Sequence, residues 1–160
     1  MPSYSKQVSS FYKAVSVTPT IDTSAYSDGD HLGTLHTITI GSGWVGLATL
    51  VSVTVLDKAK QSSAMDIIFF NASPTIASSD NAALDFTDAE AEKIIGHVSI
   101  AASDYVTLNS NTVACTGLAS AISLKSATEG VLYAILKSSG TPTYVGTTDL
   151  IVTYTFGLDF

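Results

Sequence analysis

This chain has no arginine, one cysteine, three histidines and few charges of either sign. Each shortage excludes something. Arginine supplies the bidentate fork that grips phosphate and guanine, and nucleic-acid binders carry a basic stripe. Here seven lysines stand against fourteen acids, a net charge of −7, so no nucleic-acid partner is expected. The lone Cys115 excludes an intramolecular disulfide framework and, within the largely apolar run TVACTGLASAISL, is expected to be a buried, inert thiol. No stretch approaches the roughly 18 apolar residues of a membrane helix, and the start, MPSYSKQVSSFYK, has no apolar signal core. No membrane partner is expected, and the chain is expected to be made in a cytoplasm. The sequence contains no GxSxG, HExxH or CxxC, and the glycines of GSGWVG lead into a strand with no GK[ST] after them. Neither an enzyme, a metal site nor a cofactor is therefore expected. His31, His36 and His97 are too scattered to form a local metal motif.

What is present is strand-forming sequence rich in Ser, Thr and Ala. Hydrophobic residues make up 46% of the 160 positions, while charged residues make up 13%, about half the usual share. Hydroxyls are cheaper to bury than charges, so such a surface suits a chain that lies against other protein. The segment Ala48 to Ser73 organises the rest. Val51, Val53 and Val55 alternate with Ser52 and Thr54, as in a half-buried strand, whereas Ile67 to Phe70 is apolar on both faces, as in a strand covered on each side. The polar link between them, from Asp57 to Ser63, is expected in water, and the two strands are expected to pair as a hairpin.

The other elements follow in order. Residues 1–14 read as an extended arm with Tyr4, Phe11 and Tyr12 as aromatic anchors. A short strand is expected from Val15 to Ile21, interrupted by Pro19, then a turn-rich loop, DTSAYSDGDHLG. Its Asp22, Asp28 and Asp30 invite a calcium reading, but the spacing misses the DxDxDG pattern, and side chains that accept backbone N–H bonds fit better. Thr34 to Ile40 alternates as a strand. Thr87-Asp88-Ala89-Glu90 predicts a capping box opening a helix of about two turns that ends at Gly96. Strands are expected over His97 to Leu108, with a turn at Ser103-Asp104, and over Thr112 to Lys125, with a bulge near Gly117. Two more follow over Val131 to Lys137 and Leu150 to Phe156. The pattern predicts an all-β, two-sheet antiparallel sandwich, jelly-roll-like, with one short helix: a single domain over residues 15–160 behind the arm.

Four segments taken in order carry a resemblance: TIDTSAYSDGDHLGTLHTI, LVSVTVLDKAKQSSAMDIIFFNASP, DNAALDFTDAEAEKIIGHVSIAASDYVTL and GVLYAILKSSGTPTYVGTTDLIVTYTF. Over residues 20–156 the chain resembles a family of small proteins encoded among the virion genes of tailed bacteriophages. The matching marks are Asp22, Tyr26, Gly29, Asp30 and Gly33 in the first loop, with the later SVTVLDK, DIIFFNASP, DNAALDFTDAEAEKIIG and GTPTY. The resemblance implies a decoration, or cement, protein on the outer surface of the capsid, with the major capsid protein as partner. A homotrimer would suit a position of local three-fold symmetry. Tyr4, Phe11, Tyr12, Tyr26, Trp44 and Tyr144 are the expected contact residues. The alternative is a receptor- or glycan-binding module of a tail or head fibre, with Trp44, Tyr105, Tyr133 or Tyr144 as platform beside Asp104 or Asp149.

Overall fold

Side chains that alternate in and out along extended segments build nearly all of the computed structural model, which describes residues 11–41, 48–124 and 130–158, without the side chains of 118–124. The strands are β1 (Phe11–Val17), β2 (His31–Thr39), β3 (Ala48–Asp57), β4 (Met65–Phe70), β5 (Ile94–Ile100), β6 (Tyr105–Thr107), β7 (Thr112–Leu124), β8 (Val131–Ser138) and β9 (Leu150–Leu158). They form two antiparallel sheets, of order β1-β9-β3-β7-β6 and β2-β8-β4-β5. Without the short β6, these orders are those of an eight-stranded jelly roll, so the expected all-β sandwich is what the chain forms.

The core lies between the sheets and is filled from both. β9 alternates without a break, burying Leu150, Val152, Tyr154, Phe156 and Leu158. Tyr154 ties the layers together. Its ring meets Phe69 of β4 and His36 of β2 edge-on, at centroid distances of 5.7 and 5.9 Å, and its hydroxyl lies 2.6 Å from His36 Nδ1. His36, Ile38 and Ile40 are the buried side of the alternation read in β2.

The expected hairpin between β3 and β4 does not form. β3 pairs with β7 and β9, whereas β4 pairs with β5 and β8, so the link from Lys58 to Ala64 crosses from one sheet to the other. Neighbours in sequence most often pair, and that rule misleads here because Asp57 is fully buried rather than solvated. Its carboxylate accepts from the N–H groups of Ala59 (2.9 Å) and Ser62 (2.8 Å). The chain thereby folds back through two left-handed residues, Lys60 (φ 59°) and Ser62 (φ 49°). Burial pushes the Asp57 carboxyl above its ordinary range, against the pull of these N–H bonds. Asp57→Ala is expected to cost about 2 kcal/mol, because two partly buried donors lose their acceptor while a buried carboxylate is relieved. Urea unfolding checks this, and an unchanged midpoint would show that the link needs no anchor.

Other boundaries also move. β1 begins at Phe11, inside the expected arm, and ends before Pro19, because it pairs along its full length with β9. Residues 1–10, with Tyr4, lie outside the described residues. Thr87 caps the helix as expected, its hydroxyl accepting from Glu90 N at 3.4 Å, but α1 spans only Asp88–Ala91. The Glu90 carboxylate does not close a capping box. It binds Lys93 Nζ at 2.6 Å and accepts from Thr75 N at 2.8 Å. Gly96 belongs to β5, opposite Phe69. α1 buries none of its residues, so the outer side of β4 is covered by Phe86 instead, whose ring packs edge-on against Phe70 at 5.4 Å.

Candidate functional surface

The first loop, Asp80 and the GTPTY stretch, which all carried the resemblance, meet in space, and what they build is scaffold. The Tyr26 hydroxyl accepts from Asp22 N (2.7 Å) and donates to Asp80 Oδ1 (2.8 Å), which also accepts from Gly33 N (2.7 Å). Burial and the bond to Asp80 push the Tyr26 hydroxyl well above its ordinary pKa. Gly33 sits at φ 80°, and a Cβ there would lie 2.8 Å from Ile21 Cγ2, so glycine is required. Asp22 and Asp30 accept from the N–H groups of Ser24 and Ser27, as backbone-bonded turn residues do. Among the described residues no group of three or more His, Cys, Asp or Glu is placed to hold a metal ion. The GTPTY mark packs on the same loop, with Tyr26 N donating to Pro142 O at 2.9 Å and the Tyr26 and Tyr144 rings edge-on at 6.1 Å. Asp80 opens the DNAALDFTDAEAEKIIG mark but has no role of its own in the sequence reading, because nothing local to its DN dipeptide signals that the carboxylate will serve a distant loop.

This burial removes two expected contact residues. Tyr26 is 2% and Tyr144 1% exposed within the chain's own core, so neither has a surface to offer a partner. Trp44 and Tyr4 fall outside the described residues. Phe11 and Tyr12 remain, 57% and 72% exposed on β1. Among the described residues the glycan platform is not assembled either. Tyr133 lies on β8 and Tyr105 on β6, in different sheets, while Asp104 accepts from Ala101 N and Asp149 from Val145 N and Gly146 N to close turns.

The surface feature that does stand out is the outer face of the five-stranded sheet. Register places Ser16, Thr153, Thr54 and Cys115 side by side across β1, β9, β3 and β7. The next row, Ile151, Leu56, Val113 and Val106, crosses β9, β3, β7 and β6. Towards the other end lie Tyr12 opposite Gly157 and Ala14 opposite Thr155. None of these residues is charged. Hydroxyls bond within the face, Ser16 Oγ to Thr153 Oγ1 at 2.8 Å and Thr54 Oγ1 to Cys115 Sγ at 3.5 Å. Cys115 is thus exposed on this face, not buried, because pairing with Thr54 turns position 115 outward.

The outer face of the four-stranded sheet is different in kind. There Asp66 pairs with Lys137 at 3.0 Å and accepts from the hydroxyls of Ser99 and Ser139, and His97 is exposed. Burial raises the Asp66 carboxyl, but the bonds from Ser99, Lys137 and Ser139 outweigh it and hold the group below its ordinary range. One face of the sandwich is dressed for water and the other is not.

Fold and surface together define an antiparallel jelly roll with one broad, charge-free sheet face. No family model and no curated protein matches the chain. Among solved structures it is similar to a chain of turnip yellow mosaic virus, with a TM-score of 0.36 and 12% identity over 99% of this chain and 85% of that one. It is also similar to a chain of Desmodium yellow mottle tymovirus, with a TM-score of 0.30 and 13% identity over 99% and 85% of the two chains. A chain from a full particle of Israeli acute paralysis virus gives a TM-score of 0.32 and 14% identity over 95% and 71%. At those scores the likenesses assign no role to any residue of this chain.

Proposed function

We propose that this chain is a non-enzymatic structural protein of a virus particle, a decoration protein that seats the outer face of its five-stranded sheet on the capsid shell of a tailed phage. The observation that carries the reading is the charge-free face just described, on a molecule whose net charge is −7. A surface that stays in water has no reason to exclude charge over five adjacent strands, whereas an interface core does, since charged groups are depleted there. The sequence resemblance to phage virion proteins supports the same role and supplies the partner, the major capsid protein. The hydroxyl row suits a lattice contact made after the shell is built, because Ser and Thr are tolerated both in water before binding and in the interface afterwards.

Cys115 gives the test. In the free protein its thiol is expected to react fully with a maleimide. In purified particles it is expected to be protected, while a cysteine placed at Ser99, on the opposite face, stays reactive. Equal labelling of Cys115 in both states would remove this face from the interface. Cryo-electron microscopy of the particle supplies the location: copies spread over the shell support the decoration role, and a few copies at the tail point to host recognition.

A further inference from the structure

The link that carries the chain from β3 across to β4 closes over a set of buried polar atoms. Asp57 of β3 and Thr112 of β7 are paired in register and are 0% and 1% exposed, so both side chains face the core. Tyr105 of β6 pairs with Ala114, two positions along β7 from Thr112 and therefore on the same face. Lys60 Nζ donates to Asn109 O at 3.1 Å, which sets the turn carrying Asn111 beside the link. From the other side the loop after β8 closes in, with Thr143 N donating to Gln61 Oε1 at 3.1 Å and Lys58 N to Asp149 O at 2.9 Å. Tyr144 lies between those two bonds and is buried. Four side-chain atoms of this set are buried with no hydrogen-bond partner among the described residues: the Tyr105 and Tyr144 hydroxyls, Thr112 Oγ1 and Asn111 Oδ1. Burial pushes both tyrosine hydroxyls above their ordinary range, and the charge of Asp57 is the next cause at each.

We infer that this end of the core is an internal hydration site, where ordered water joins the hydroxyls of Tyr105, Tyr144 and Thr112 and the amide oxygen of Asn111 to the carboxylate of Asp57. The balance of donors and acceptors selects the ligand. Three hydroxyls need an acceptor for their protons while Asn111 Oδ1 needs a donor, so the bound molecule must both give and take hydrogen bonds. A cation would meet the oxygen lone pairs but leave three O–H groups without an acceptor. An anion would take the O–H groups but stand beside a fully buried carboxylate and an amide oxygen. Water serves both kinds of group and adds no charge. A buried water makes about three hydrogen bonds, and Asp57 keeps acceptor capacity beyond its bonds from Ala59 N and Ser62 N, so the set calls for about two waters. The polar crossing is then fastened through water both to the β6–β7 turn and to the loop after β8. All of these groups lie inside one chain, so the site stands or falls independently of the decoration role.

The sign of a mutational effect tests this in the full chain. Removing a buried hydroxyl that nothing binds relieves an unmet polar group and raises stability, whereas removing one that is bound to water lowers it. Tyr144→Phe keeps the ring that packs on Tyr26, and Thr112→Val keeps the branched shape, so each isolates the oxygen. Each is expected to lower the urea unfolding midpoint with an unchanged circular dichroism spectrum. The double variant Tyr105→Phe with Tyr144→Phe is expected to lose less than the sum of its single losses, because the two hydroxyls share water. Magnetic relaxation dispersion of the solvent, which counts waters held inside for longer than the protein tumbles, is expected to find fewer in that double variant than in the parent. The parent midpoint is expected to be the same in sodium, potassium and calcium chloride at equal ionic strength. A midpoint that rises or stays put in either single variant, an unchanged count of internal waters, or a midpoint that follows the identity of the cation would overturn the proposal.

Discussion

Gly130→Ala is expected to destabilise this protein by more than about 3 kcal/mol, lowering Tm by roughly 6–12 °C for a domain of this size. Gly130 sits at φ 68°, where a side chain costs about 1–2 kcal/mol, and its added Cβ would lie 1.8 Å from the Gly41 carbonyl oxygen. That neighbour is backbone and cannot swing aside. The approach is close because Ile40 N donates to Gly130 O at 2.8 Å, joining the end of β2 to the start of β8. Gly29→Ala is the control. Its φ is 94° but nothing lies within 4 Å of the added atom, so only the conformational cost of about 1 kcal/mol is expected. Scanning calorimetry of both variants separates strain from collision, and equal losses would show that no collision occurs.

Acid is expected to remove about 3 kcal/mol of stability through one residue, His36. Burial, and secondarily the charge of nearby His31, lower its imidazole from the ordinary 6.5 to about 4. The folded state therefore binds fewer protons than the unfolded chain between those values. The stabilisation is complete above about pH 6.5 and is lost as pH falls through about 4. Protonation would create a second buried N–H donor, and His36 Nε2 has no hydrogen-bond partner to receive it. His36→Leu alone would orphan the Tyr154 hydroxyl at a cost of about 1–3 kcal/mol. His36→Leu with Tyr154→Phe removes both ends of the pair, so the double variant is expected to lose the slope between pH 6.5 and 4 while keeping most of its stability. Urea unfolding across that range checks it, and a double variant with the parent's slope would place the titration elsewhere.

A basic, phosphate-binding surface and an intramolecular disulfide framework were excluded by composition, and the alternating segments marked nearly every strand. The reason is physical: a strand in a sandwich buries every second side chain, so its period is written locally, as β2 and β9 demonstrate. The Thr87 cap was legible for the same reason, since donor and acceptor lie within one turn. What could not be read was which strands meet. β3 and β4 look like a hairpin, and only the burial of Asp57 and the pairing of β3 with β7 and β9 send them to opposite sheets. Side-chain roles that depend on those distant pairings moved with them. Tyr26 and Tyr144, aromatic and flanked by turn residues, read as surface anchors until Asp80 and Pro142, far along the chain, were found to hold Tyr26 inside. Cys115 read as core until its register opposite Thr54 turned it outward. The sequence by itself determined a sandwich poor in charge; tertiary structure decided where that poverty is concentrated, because a sheet face is assembled from strands that neighbour one another in space and not along the chain.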